Sequence, residues 1–167
     1  LHIPHLYDNS LAIGDHCLGY GSVIKALSAR AKNLFPSAEE NTRSETVTLL
    51  SLPAGANSWM AAGSILLKHK TSQVPHLICI PEIPFQAEAF IDQLEAKREA
   101  YGSCLVVTTD QLRDADGRQL TGPASSGHAK EASSLPSSAA YLTKLIEGRL
   151  GASVKTTQLE MGELLRP

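Results

Sequence analysis

Three short apolar runs limit what this chain can fold into more than any other feature. TVTLLSL (46–52), the stretch 75–80 with HLICI at its heart, and CLVVTT (104–109) are strand-length. The first alternates and then fills in, and the second is apolar on both faces, the pattern of a strand in a parallel sheet covered on both sides by helices. Between and around them lie segments with a helical period. Val23, Leu27, Ala31 and Leu34 mark a helix over 22–35, stopped by Pro36. A second helix is expected over 57–69, with Asn57 or Ser58 as its N-cap. A third covers 86–101, with Glu88, Asp92, Glu95, Lys97, Arg98 and Glu99 on one side and Gly102 at its end. A fourth covers 137–150, capped by Gly151, and a last strand follows over 153–159. Strand and helix alternate throughout, which predicts an open α/β fold: three layers, α/β/α, with a mostly parallel sheet and right-handed crossovers.

The 167 residues suffice for one domain with a real core, expected to span 1–167. Residues 110–136 carry no usable period and are read as a loop-rich surface insertion or a partly mobile stretch. With a net charge of -2 and a pI of about 6.3, neither a nucleic acid nor an anionic membrane is an expected partner. No apolar run approaches the ~20 residues of a membrane span. Cys17, Cys79 and Cys104 are an odd, scattered set without metal-ligand spacing, and the latter two sit inside strand-like runs. Buried thiols in a reducing, cytoplasmic setting are expected. The sequence begins at Leu1 without a signal peptide, so a processed, cut or partial chain is expected.

Ligands of open α/β sheets sit beyond the carboxyl ends of the strands, and Asp8, Gly55, Glu82 and Arg166 all fall near loops of that kind. Asp8 stands in a turn, Asp8-Asn9-Ser10, ahead of a glycine-rich helix start at Gly19-Tyr20-Gly21-Ser22. Two readings of Asp8 stand side by side: a general base, and a turn residue that bonds its own backbone. Glu82 lies just past the second apolar run, between Pro81 and Pro84, which stiffen the turn. It reads either as a ligand-binding carboxylate or as a helix-start carboxylate favoured by the dipole. Trp59 reads as helix packing. His2, His5, His69, His76 and His128 show no metal spacing, and the Asp110, Asp114, Asp116 series has the wrong spacing for a calcium loop.

The stretch 3–22 resembles the substrate loop of the phosphofructokinase family, whose pattern runs roughly I-P-K/G-T-I-D-N-D-L, a spacer, T-D-H, then P-G-Y/F-G-S. Ile3, Pro4, Asp8, Asn9, Leu11, Asp15, His16, Gly19, Tyr20, Gly21 and Ser22 match. His5, Leu6, Tyr7, Ser10 and Leu18 depart from it. The family's M-G-R-H/N-A-G/S-W aligns with 53–59, where Ser58 and Trp59 match and Gly55 replaces the arginine. Losing such a cation would cost a phosphoryl transfer roughly 2 to 4 kcal/mol, if it acts like a preorganised oxyanion donor. Ile80-Pro-Glu-Ile-Pro-Phe85 matches I-P-E-I/V-P-F, and Gly162, Leu164 and Arg166 fit the family's L-G/P-x-L/I-Q-R-G/S, with Glu163 and Leu165 departing.

The resemblance implies a 6-phosphofructokinase-type phosphotransferase of glycolysis, of which this chain is the fructose 6-phosphate portion. Asp8 would take the proton from the 1-hydroxyl. Asn9, Gly55, Asn57 and Glu82 would bind substrate, and Arg166 the 6-phosphate. ATP or pyrophosphate with Mg2+ would serve the parent enzyme. The family's donor-phosphate loop, Gly-Gly-Asp-Gly-Ser, is absent here, so this chain alone shows no place for donor or metal and is expected to be inactive by itself. A sugar phosphate and a homo-oligomer or partner phosphofructokinase chain are the expected partners. The departures at Leu6, Ser10, Gly55 and Glu163 carry a second reading: a degenerate, non-catalytic regulatory half or subunit. A third is an α/β scaffold that no longer binds sugar phosphate.

Overall fold

The computed structural model describes residues 15–34, 47–52, 58–68, 74–122, 137–151 and 154–158. Among the described residues four strands, β1 (Val47–Leu52), β2 (Leu77–Ile78), β3 (Cys104–Thr109) and β4 (Val154–Gln158), form one sheet in the order β2-β3-β1-β4. Every pairing is parallel, with Leu52 opposite Thr109 and Ile78 opposite Val107. The helices are α1 (Tyr20–Leu34), α2 (Trp59–Gly63), α3 (Ala87–Tyr101) and α4 (Ser138–Leu150), with a 3₁₀ turn at Ser64–Leu67.

Alternation along the strands sorts the core into two layers. Leu50 and Leu52 of β1 and Leu105 and Val107 of β3 pack with Leu27 of α1, Met60 and Ala61 of α2 and Leu67. Val47, Leu49, Cys104 and Val106 point the other way, against Phe90, Ile91 and Leu94 of α3 and Leu142 and Ile146 of α4. The sheet is thus the middle of three layers, as expected. From β1 to β2 the chain moves one way across the sheet, over the α2 face. From β2 to β3 and from β3 to β4 it moves the other way, over the α3/α4 face. Reversed direction on the opposite face keeps a single crossover hand.

Two elements are shorter than their sequence pattern. The helix expected over 57–69 is five α-helical residues followed by the 3₁₀ turn. It breaks at Gly63, which lies so close to α1 that an added Cβ would stand 2.7 Å from Ile24 Cγ2, and at Ser64, whose hydroxyl bonds the Ala61 carbonyl. Trp59, expected to pack, is 61% exposed, because the five-residue helix buries Met60 and Ala61 instead. The strand expected over 75–80 keeps ladder geometry only at Leu77–Ile78. It is an edge strand flanked by Pro75 and Pro81, which have no N–H to donate. Its backbone pairing reaches a little further, from His76 N–H to Leu105 O (3.0 Å) and from Cys79 N–H to Val107 O (2.8 Å). Its residues are half-buried rather than covered on both faces.

Of the 110–136 stretch, the described part, 110–122, is built around the α4 start. Ser137 caps α4, its hydroxyl accepting from Ala140 N–H at 3.2 Å. The buried Ser138 Oγ accepts from Leu112 N–H (2.9 Å) and faces the carbonyls of Leu120 (2.8 Å) and Asp110 (3.1 Å). Leu112 is fully buried, a position that no period in the sequence marks. Asp114 Oδ1 accepts from the N–H groups of Asp116 (3.0 Å) and Arg118 (2.8 Å), so this acidic turn binds its own backbone.

Gly122 lies directly on α4: an added Cβ would stand 2.4 Å from Tyr141 N and 2.5 Å from Ala140 C. Backbone cannot move aside as a side-chain tip can. Gly122→Ala is expected to destabilise the protein by about 1–3 kcal/mol, read as a lower denaturation midpoint at unchanged m-value.

His76 supplies a pH dependence. Its Nδ1 accepts from Leu105 N–H at 3.0 Å, which requires the neutral ring. Burial, then the charges of Lys97 and Lys68, hold its pKa below the usual histidine value. The folded state therefore binds fewer protons than the unfolded one. Stability should be fully present above about pH 6.5 and fall as pH drops below it, by at most about 1.4 kcal/mol per pH unit. Denaturation from pH 8 to 5 should show this slope in the native protein and a shallower one in His76→Gln.

Candidate functional site

The carboxyl ends of the strands gather the loops that leave them. The connection from β1 departs over the α2 face and the connection from its neighbour β3 over the α3/α4 face. Between such a pair an open parallel sheet has its crevice. Glu82 stands at this end, in the turn between Ile80 and Phe85 that follows β2, and is exposed. The turn is fixed at both ends: Ile83 N–H donates to Ile80 O at 3.3 Å, and Phe85 N–H donates to Arg113 O at 2.8 Å. Phe85 anchors it further against Phe90 of α3, ring centroids 5.1 Å apart.

The helix-start reading of Glu82 does not survive. α3 begins only at Ala87, and the acidic residue in its first turn is Glu88, which pairs with Arg149 of α4. Glu82 instead accepts a hydrogen bond from the Ser58 hydroxyl, at 2.7 Å. Ser58 was expected as a helix cap. It occupies the position before α2, but its backbone is helical (φ -78°, ψ -6°) and its side chain makes no cap bond. The contact ties the loop after β1 to the loop after β2, two strands separated by β3. It lies 24 residues apart in sequence, and no sequence pattern marks it.

Thr109 ends β3. It is fully buried and its Oγ1 has no hydrogen-bond partner, while the Thr108 hydroxyl donates to the Thr109 carbonyl at 3.1 Å. In the sequence Thr109 is one more residue of the third apolar run. Trp59 and Ile83 flank Ser58 and Glu82 in sequence, and both are exposed. Of the other residues singled out, Asp8, Asn9, Gly55, Asn57 and Arg166 lie outside the described residues. His16 is exposed just before α1, its ring 5.7 Å from that of Tyr20.

Other chemistries find little support here. Burial pushes the Cys79 thiol up to about 12. Burial also pushes the Cys104 thiol up to about 11, against the pull of Arg98 and Lys97. Neither is a thiolate near neutral pH. Among the described residues no group of three or more His, Cys, Asp or Glu is placed to hold a metal ion. A groove of about 330 Å³ runs along β2 and the start of α3. No charged side chain lines it, and its polar groups are Gln86 and Gln93, which does not suit a phosphate. No described helix is long and apolar enough to cross a membrane.

Comparison with known proteins bears on the fold and the family. No family model matches the chain. The pyrophosphate–fructose 6-phosphate 1-phosphotransferase of Methylococcus capsulatus is 31% identical over 155 residues, 90% of this chain and 36% of the relative. The protein of the same name from Xanthomonas campestris is 30% identical over 161 residues, 93% of this chain and 37% of the relative. Among solved structures, the pyrophosphate-dependent phosphofructokinase of Marinobacter aquaeolei matches 96% of the chain with a TM-score of 0.73 at 23% identity. That of Nitrosospira multiformis matches 97% with a TM-score of 0.74 at 22% identity. At such identities the structural matches speak for the fold alone. The chain spans somewhat over a third of the length of these relatives, 36–37%. Sequence and fold together place it, as a partial chain, in the phosphofructokinase family.

Proposed function

We propose that this chain is the fructose 6-phosphate-binding portion of a pyrophosphate-dependent 6-phosphofructokinase. The carrying observation is Glu82, held by Ser58 at 2.7 Å beyond the carboxyl ends of the strands. The similarity over 90% of the chain to enzymes named for pyrophosphate and fructose 6-phosphate supports the same reading. In it, the Glu82 carboxylate accepts hydrogen bonds from sugar hydroxyls. Being anionic, it belongs at the hydroxyl-bearing part of the ligand and away from the phosphate. Asn9, Gly55 and Asn57 line the substrate, Gly55 through its N–H alone, and Arg166 pairs with the 6-phosphate. Asp8 takes the proton of the 1-hydroxyl as the phosphoryl group arrives. Pyrophosphate and its Mg2+ belong to the remainder of the parent protein, which would be a homo-oligomer or pair with a related chain.

The second reading is a regulatory, non-catalytic copy that binds a sugar phosphate without turning it over. Gly55 in place of the family's arginine and Ser10 in place of its second aspartate favour it. The readings separate in the full-length protein that carries this chain, assayed with fructose 6-phosphate and pyrophosphate. For the enzyme, Asp8→Ala should lower turnover by about 10² to 10⁴ while binding persists. Binding without turnover in the wild type, indifferent to Asp8→Ala, would establish the regulatory copy. In either case Glu82→Gln should weaken fructose 6-phosphate binding about 10- to 100-fold by calorimetry, the scale of a hydrogen bond to a charged group. Unchanged affinity would remove Glu82 from the site.

A further inference from the structure

The pair that Ser58 and Glu82 form is more specific than either residue alone. A carboxylate has no proton to give, so in their 2.7 Å contact Ser58 is the donor and Glu82 Oε1 the acceptor. The hydroxyl has one proton, and it is committed. What the pair presents outward is then Glu82 Oε2 and the remaining lone pairs of both oxygens: acceptors only. Such a surface binds ligand groups that donate, such as hydroxyls, and disfavours an anion. The serine has no competing task, because it makes no cap bond to α2 despite its place before that helix. Glu82 has no such task as a helix-start residue either, with α3 starting at Ala87. Left alone, an exposed glutamate would sample several rotamers, and ordering it would fall on the binding step.

We propose that Ser58 is a positioning residue that fixes Glu82 as an acceptor-only reader of ligand hydroxyls, so that the site selects a polyol by its hydroxyl donors. This rests on the sugar-phosphate reading above. Ser58 acts through Glu82, and its contribution disappears when residue 82 has no oxygen to accept the Ser58 hydroxyl.

The test uses the full-length protein, fructose 6-phosphate calorimetry and thermal melting, with Ser58→Ala, Ser58→Thr, Glu82→Ala and the Ser58→Ala/Glu82→Ala double variant. Three-bond couplings report the Glu82 side-chain rotamer by NMR. Ser58→Ala should lose about three- to tenfold in affinity with Tm unchanged, and Ser58→Thr should stay within about twofold of wild type. In the Glu82→Ala background Ser58→Ala should cost nothing further. The Glu82 couplings should report one rotamer in the wild type and an average in Ser58→Ala, with or without ligand. Unchanged affinity in Ser58→Ala overturns the proposal, and so does an equal loss in the Glu82→Ala background. A fall in Tm with affinity intact would make Ser58 a purely structural residue. A wild type that ignores fructose 6-phosphate sinks the sugar-phosphate reading instead. Rotamer averaging already present in the wild type sinks the positioning role whether or not ligand binds.

Discussion

Val47, Leu49, Leu50 and Leu52 on β1, and Leu105, Val106 and Val107 on β3, have no route to water on either side of the sheet. Burying a side chain of this size stabilises the fold by about 1.5–3 kcal/mol. That gain is realised only if both faces are covered. Two faces need two helical layers, and parallel strands need a crossover for each return. The direction reversal between β1 and β3 follows, since one hand of crossover serves both faces. The crevice at the carboxyl ends is a consequence of covering these two strands, whatever ligand it holds.

Upon that frame the site is made of loops, and loops need fixing. The turn bearing Glu82 is held from three sides: by the Phe85 N–H on Arg113, by Phe85 against Phe90, and by Ser58 from across β3. The Arg113 segment is itself tied to α4 through Ser138. An exposed carboxylate is thereby connected, through four elements, to the buried core. This divides the labour: apolar packing sets where the loops start, and a few polar contacts set where the functional groups end.

The sequence was legible where structure is decided locally. β1 and β3 appeared as apolar runs, and α1, α3 and α4 as periodic segments with proline or glycine at their ends, each within about two residues of the structure. It was illegible where a neighbour decides. α2 is cut short by Ile24 of another helix, β2 by its place at the edge, and Trp59 is exposed because a helix of five residues has only one inward face. Glu82 was found through its two prolines and the family pattern. Its partner Ser58 was noticed for a different role, because a contact over 24 residues leaves no period. Thr109 left no signal, because an unpaired hydroxyl is a property of what surrounds it.

The prolines that shorten β2 have a bearing on how the sheet can grow. Between Pro75 and Pro81 the edge offers few N–H groups, and those of His76 and Cys79 already turn inward to β3. A strand arriving from outside would find almost no ladder there. Among the described residues β2 is the margin of the sheet, and its two-residue length between prolines guards against unwanted edge-to-edge association. The opposite margin, β4, has no such proline between Val154 and Gln158. Any further strand, from this polypeptide or another, is directed to that side.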